Sequence, residues 1–213
     1  MLLNLLFTNP LIFLVVALGM VVAITIHEFA HALASTWLGD QTAKNAGRLT
    51  LNPAAHLSLV GSLMLLLAGF GWGKPVPYNP YNLRYQRWGA TLVAIAGPVS
   101  NLLLVIVAGI FLKIFIATEV LPETNLLIYF LQYLVFINLM LAVFNLIPIP
   151  PLDGSKLLFG ILDAPKYDHI KIWLDTRGPI LLIVLIIFDS WLNLNIFQSI
   201  FMFFVNVVSK ILF

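Results

Sequence analysis

His27-Glu28-Phe29-Ala30-His31 stands inside an apolar run, residues 11–38, in which Glu28 is the one formally charged side chain. A helix turns 100° per residue, so the two histidines fall one turn apart on one face and both imidazoles can reach a single cation, with Glu28 beside them. Ionisable groups at the centre of a bilayer cost about 2.5–3.5 kcal/mol for Asp, Lys or Arg and somewhat less for Glu, and they need an offset. A bound metal would supply one. In a soluble helix, two packed histidines and a surface glutamate would be an equally good account of so short a pattern; the uncharged setting favours the metal. Water activated by that metal would be the nucleophile and Glu28 its base.

Composition agrees with a membrane setting. The 213-residue chain is 61% hydrophobic and 9% charged, against about 25% charged in soluble domains, and its mean hydropathy is +1.02. This describes a polytopic membrane protein, and no charged or low-complexity linker divides residues 1–213, so a single domain is expected. The net charge of +2 is too small and too scattered to suggest a nucleic-acid partner. Cysteine is absent, which excludes disulfides and thiolate metal sites and leaves histidine and carboxylate as ligands. The first apolar segment lacks a basic leader and carries the motif itself, so it is expected to stay as a membrane span.

Further spans follow the first. Residues 88–118 give a second, in which Gly97-Pro98-Val99-Ser100-Asn101 places small residues and an amide at depth, as close helix packing or cavity lining would need. Residues 125–147 give a third, halted by Pro148-Ile149-Pro150-Pro151 ahead of Leu152-Asp153-Gly154. The apolar remainder reads as a short span near 178–190 and a last one near 192–213. Between the first two long spans, Arg48-Leu49-Thr50-Leu51-Asn52 alternates with period two and predicts a short strand closed by Pro53. Residues 57–70 are too few to cross comfortably and suggest a re-entrant segment. The Gly- and Pro-rich residues 71–80 suggest loop and strand at the membrane surface. The expected fold is thus an all-α polytopic membrane protein of about five transmembrane helices, with a re-entrant, membrane-associated β-containing segment between the first and second long spans.

A metal on His27 and His31 needs a third protein ligand, and His56, His169 and a carboxylate such as Asp153 are available. Counting spans favours Asp153. If residues 57–70 do not cross, Asp153 emerges on the membrane side nearer the histidines; if they do, it lies across the bilayer. One carboxylate and one hydroxide would also neutralise Zn²⁺. The plainer reading of Asp153-Gly154 is a turn whose carboxylate caps the next helix. Loops 39–88 and 148–177 hold nine basic residues, Lys44, Arg48, Lys74, Arg84, Arg87, Lys156, Lys166, Lys171 and Arg177, which predicts that both are cytoplasmic.

Three motifs in order, His27-Glu28-x-x-His31, Gly97-Pro98-x-x-Asn101 and Asn145-x-x-Pro148-x-x-x-x-Asp153-Gly154, resemble those of the site-2 intramembrane metalloproteases. The stretches Gly47-Arg48-x-Thr50-Leu51-Asn52-Pro53-x-x-His56 and Gly73-Lys74-Pro75-Val76-Pro77 resemble that family as well. The resemblance covers roughly residues 10–160. It implies Zn²⁺ on His27, His31 and Asp153, with Glu28 as general base. It implies a β element within residues 41–85 that pairs with an unwound substrate strand, and substrate contacts from Asn145 near the scissile peptide and from Asn101 in the same pocket. For either asparagine an interhelical hydrogen bond is the alternative.

Where many members place Asp and Pro shortly after the His56 position, this chain has Ser58 and Leu59. His56 is therefore taken as a structural or gating residue, and His169 as solvent-exposed. No segment is long enough for a PDZ domain or a CBS pair, so a minimal catalytic core of bacterial type is expected, in the plasma membrane with its site toward the cytoplasm. Its expected partners are the lipid bilayer and a transmembrane protein or peptide substrate. A zinc-binding protein or transporter without proteolytic activity would use the same ligands and give Glu28 no task; an inactive scaffold would need none of them.

Overall fold

The computed structural model describes residues 2–68 and 71–212. A short helix, α1 (Leu2–Thr8), leads into α2 (Pro10–Trp37), whose start is set by Asn9: its side chain accepts the Ile12 amide at 3.2 Å, and Pro10 fits the first helical position. After α2 come α3 (Thr42–Asn45), α4 (Leu59–Ala68), α5 (Gly89–Thr118), α6 (Leu126–Asn145), α7 (Gly154–Ile161), α8 (Asp168–Trp191) and α9 (Ile196–Leu212).

Helices α2, α5 and α6 pack on one another and form the core. Val16 and Ala23 of α2 meet Ile137 of α6, and Ala108 and Leu112 of α5 meet Ile128, Leu131 and Leu134 of α6. Phe201, Val205 and Val208 of α9 close the far side against Val105 and Leu139. The outer faces stay apolar, with Leu14, Leu18, Leu103, Ile106 and Phe111 exposed, as lipid-facing surfaces require. These three helices, of 28, 30 and 20 residues, are long and apolar enough to cross a membrane. The chain is an integral membrane protein.

Two expectations are corrected. Among the described residues there is no β-strand in the segment between α2 and α5; its one β-type pairing is an isolated antiparallel bridge, Leu57 to Gly73. The alternating residues 48–52 do not extend into a ladder, because their polar groups are satisfied locally. The Thr50 hydroxyl accepts the Asn52 amide and the Asn52 side chain accepts the Ala54 amide, folding the chain into a turn at Pro53–Ala55. Nor do the described residues show five spans: three helices qualify among them, and a fourth span arises only if residues Pro165–Trp191 and Ile196–Ile211, bent by 88°, are counted as one. The charged residues 168–177 continue into the apolar part of α8 instead of forming a loop, helped by the Asp168–Lys171 pair at 2.7 Å.

Residues 57–68 and 71–73 lie side by side, joined by the Leu57–Gly73 bridge. Helix α4 has 10 residues, about 15 Å at 1.5 Å per residue and half a bilayer core. The chain returns beside it so tightly that a Cβ on Gly61 would lie 2.0 Å from the Trp72 carbonyl oxygen. Beyond the bridge, the Lys74 amide donates to the His56 carbonyl at 2.7 Å.

Candidate metal centre

One and two turns past the middle of α2, His27 and His31 point toward α5, and the space they need exists because position 97 is glycine. A Cβ there would lie 2.5 Å from both Cε1 and Nε2 of His31 and 2.6 Å from His27 Cε1. Asp153 is returned to the same place by the proline turn after α6. The fold-back is tight, since a Cβ on Gly154 would be 2.3 Å from the Leu146 carbonyl oxygen.

The three residues converge. Asp153 Oδ2 is 3.2 Å from His27 Nε2 and 3.3 Å from His31 Nε2, and the two Nε2 atoms are 3.0 Å apart. The other ring nitrogens are already engaged: His31 Nδ1 donates to the Val93 carbonyl at 2.8 Å, and His27 Nδ1 to Asn101 Oδ1 at 2.5 Å. Both Nε2 atoms therefore present lone pairs to a carboxylate oxygen that is buried without a hydrogen-bond donor. Three acceptors held face to face repel one another unless a cation lies between them. Their spacing also fits Zn²⁺, since ligands at about 2.0–2.1 Å in a tetrahedron stand about 3.3 Å apart. His27, His31 and Asp153 could thus hold a metal ion, with Nδ1–H groups anchored as in other histidine metal sites.

A cavity of about 460 Å³ opens onto this group; Glu28, Asn145, Tyr78 and Lys156 line it beside the three. Glu28 Oε1 faces Gly73, 3.2 Å from where a Cβ would be. Burial, then the nearby charges of Asp153 and Asp175, push the Tyr78 hydroxyl above its ordinary range. Asn145 borders the cavity, and its amide donates to the Leu141 carbonyl at 3.0 Å. Asn101 is not at the cavity wall; it lies fully buried behind His27.

His56 is buried, its Nε2 held at 2.7 Å by the Thr50 carbonyl, and it is not part of the ligand group. His169 is exposed on the first turn of α8.

Over the cavity runs a strap, residues 71–82, tied down by two buried charges: Asp40, which the sequence reading did not single out, and Arg48, which it placed in a strand. Asp40 accepts from the Asn79 amide at 2.7 Å, the Asn82 side chain at 3.1 Å, and the Thr42 hydroxyl and amide at 2.6 and 3.2 Å. Burial works to raise its pKa, and these four donors overcome that and lower it. Arg48 donates to the carbonyls of Lys74 and, at 3.0 Å, Pro75. Asn138 was also missed. It donates to the Leu134 carbonyl at 2.7 Å and accepts from Asn101 at 2.6 Å; its only mark in the sequence is an amide inside an apolar run, two turns before Asn145.

Comparison with known proteins points the same way. The family described as "Peptidase family M50" matches residues 113–185, the part that carries Asn145 and Asp153. "Putative zinc metalloprotease YwhC" of Bacillus subtilis is 43% identical over 143 residues, 65% of each chain. "Putative zinc metalloprotease Rip2" of Mycolicibacterium smegmatis is 29% identical over 91% of this chain and 74% of its own. Its namesake in Mycobacterium tuberculosis is 36% identical over 69% and 57%. The chain thus spans about two thirds of the length of these relatives. No solved structure matches it. A His-His-Asp group suited to Zn²⁺ agrees with relatives named for zinc-dependent proteolysis, and over residues 113–185 the chain is similar to peptidase family M50.

Proposed function

We propose that this chain is an intramembrane zinc metalloprotease, a single catalytic unit that hydrolyses peptide bonds of transmembrane or membrane-associated proteins. The observation that carries the reading is the convergence of His27 Nε2, His31 Nε2 and Asp153 Oδ2 within 3.3 Å of one another at a cavity that Glu28 also lines.

His27, His31 and Asp153 would hold the Zn²⁺, which when bound acidifies water and polarises a carbonyl. Glu28 takes a proton from the attacking water on its carboxylate and gives it to the leaving amine nitrogen. Asn145, on the cavity wall, has its oxygen free to accept from the substrate backbone near the scissile bond, while its amide is engaged by Leu141. Asn101 serves the site from behind, as an acceptor for His27. A helical substrate must unwind first, since its carbonyls are tied up in hydrogen bonds. The basic residues of segments 39–88 and 148–177, which carry the strap and Asp153, support a site facing the cytoplasm across a bacterial plasma membrane.

The test is reconstitution in vesicles with a transmembrane peptide substrate, comparing wild type with Glu28→Gln. Cleavage by wild type and none by Glu28→Gln, with zinc content equal in both, is the expected result. No cleavage by either, with zinc crossing the vesicle membrane, would replace protease with transporter.

A further inference from the structure

Asn138 lies in none of the motifs and does not line the cavity at the metal centre, yet it is fully buried between helices and linked to that centre. The link can be read from an atom whose role is unambiguous. The Leu134 carbonyl can only accept, so Asn138 turns Nδ2 toward it, at 2.7 Å, and Oδ1 toward α5. That oxygen can only accept in turn, so Asn101 presents Nδ2 to it at 2.6 Å, with the Ala23 carbonyl a second, longer acceptor at 3.4 Å. Asn101 Oδ1 is thereby aimed at His27 Nδ1, 2.5 Å away, and an amide oxygen there requires that Nδ1 carry the proton.

The consequence falls on the opposite ring nitrogen. With the proton on Nδ1, His27 Nε2 keeps its lone pair for the side where His31 Nε2 and Asp153 Oδ2 converge. A flipped Asn101 would set oxygen against oxygen at Asn138 and an NH₂ group against His27, driving the proton to Nε2 and blocking it as a ligand. In the native arrangement donation runs one way through three helices, from His27 in α2 to Asn101 in α5 to Asn138 in α6. We infer that Asn138 is a positioning residue for the metal centre: it fixes the amide orientation of Asn101 and, through it, the tautomer of His27. This rests on His27 being a metal ligand, and goes beyond that reading by assigning a residue that touches neither metal nor substrate.

The test is zinc affinity, measured by competition with a chelator, together with ¹⁵N signals of the ring nitrogens of His27. Asn138→Leu, close in volume but without the acceptor, is expected to weaken zinc binding about tenfold, the low end for groups behind metal ligands, and to shift zinc-free His27 toward the Nε2–H tautomer. Asn138→Asp, whose neutral carboxyl keeps an acceptor for Asn101 and an O–H for Leu134, is expected to restore both. Asn101→Asp removes the need for orientation, since either carboxylate oxygen can face His27, and sets the other oxygen against Asn138 Oδ1. Zinc binding by the double variant Asn101→Asp/Asn138→Leu should therefore be no weaker than that of Asn101→Asp alone.

Unchanged zinc affinity and tautomer in Asn138→Leu would overturn the inference, as would an equal loss on the Asn101→Asp background. Asn138→Ala carries the same comparison if leucine is not accommodated. If zinc leaves the His27 signals of the wild type unmoved, it is the metal-centre reading that fails.

Discussion

Gly97 of α5 stands so close to His31 that a Cβ added to it would lie 2.5 Å from the ring atoms Cε1 and Nε2. The atoms in the way are ring atoms held from behind by the Val93 carbonyl, so they cannot swing aside. Gly97→Ala is expected to cost about 1–3 kcal/mol through overpacking and to lower zinc affinity at least about tenfold by turning the imidazoles. Zinc content and thermal unfolding of the purified variant check both.

Gly73 offers a gentler version of the same contact at the proposed base. A Cβ there would be 3.2 Å from Glu28 Oε1, 3.2 Å from Ile24 Cγ2 and 3.3 Å from the His56 carbonyl oxygen. Gly73→Ala should leave zinc binding unchanged and lower kcat about tenfold, by displacing a carboxylate whose placement governs proton transfer. Equal kcat in both proteins would show that Glu28 tolerates the shift.

Asp40 makes strap stability depend on pH. Its carboxyl is lowered in the folded protein by the Thr42, Asn79 and Asn82 donors against the upward push of burial. A group depressed on folding contributes fully above its unfolded pKa, about 3.9, and its contribution disappears as pH falls through the folded value. Hydrogen exchange in residues 74–82 should thus be slow at neutral pH and accelerate below about pH 4, beyond the intrinsic pH effect. Asp40→Ala should cost about 3 kcal/mol at pH 7 and remove that acid dependence.

Arg48 holds two neighbouring carbonyls with one planar group, which an ammonium cannot reproduce. Arg48→Lys is expected to loosen residues 74–76, seen as faster amide exchange there, while zinc affinity remains as in the wild type. Exchange at the native rate would mean that Asp40 alone secures the strap.

The parts of the site that were legible in the sequence are those dictated by local geometry or by parity. His27 and His31 share a face because of helical periodicity, and Asp153 reaches them because, among the described residues, no helix of spanning length lies between α2 and α5. The illegible parts depend on partners distant in sequence. The alternation at residues 48–52 looked like a strand, but a strand needs a neighbour, and Thr50 and Asn52 had already bonded their own backbone. Asp40, Arg48 and Asn138 are single polar residues whose roles exist only once residues tens of positions away are beside them. For α8, charge was read as loop, although its Asp168–Lys171 spacing is that of a helix face.

The bridge between Leu57 and Gly73 makes everything between them a side branch. The main path from His56 to the strap is carried across the neck by the Lys74 amide and the His56 carbonyl, without passing through α4. The entropic cost of closing such a loop rises only logarithmically with length. Residues inserted at the far end of α4 would therefore lengthen the branch while the distance from Glu28 to Gly73 stayed as it is, making this branch the point where the chain can accept new sequence, or a reporter group, next to the candidate metal centre.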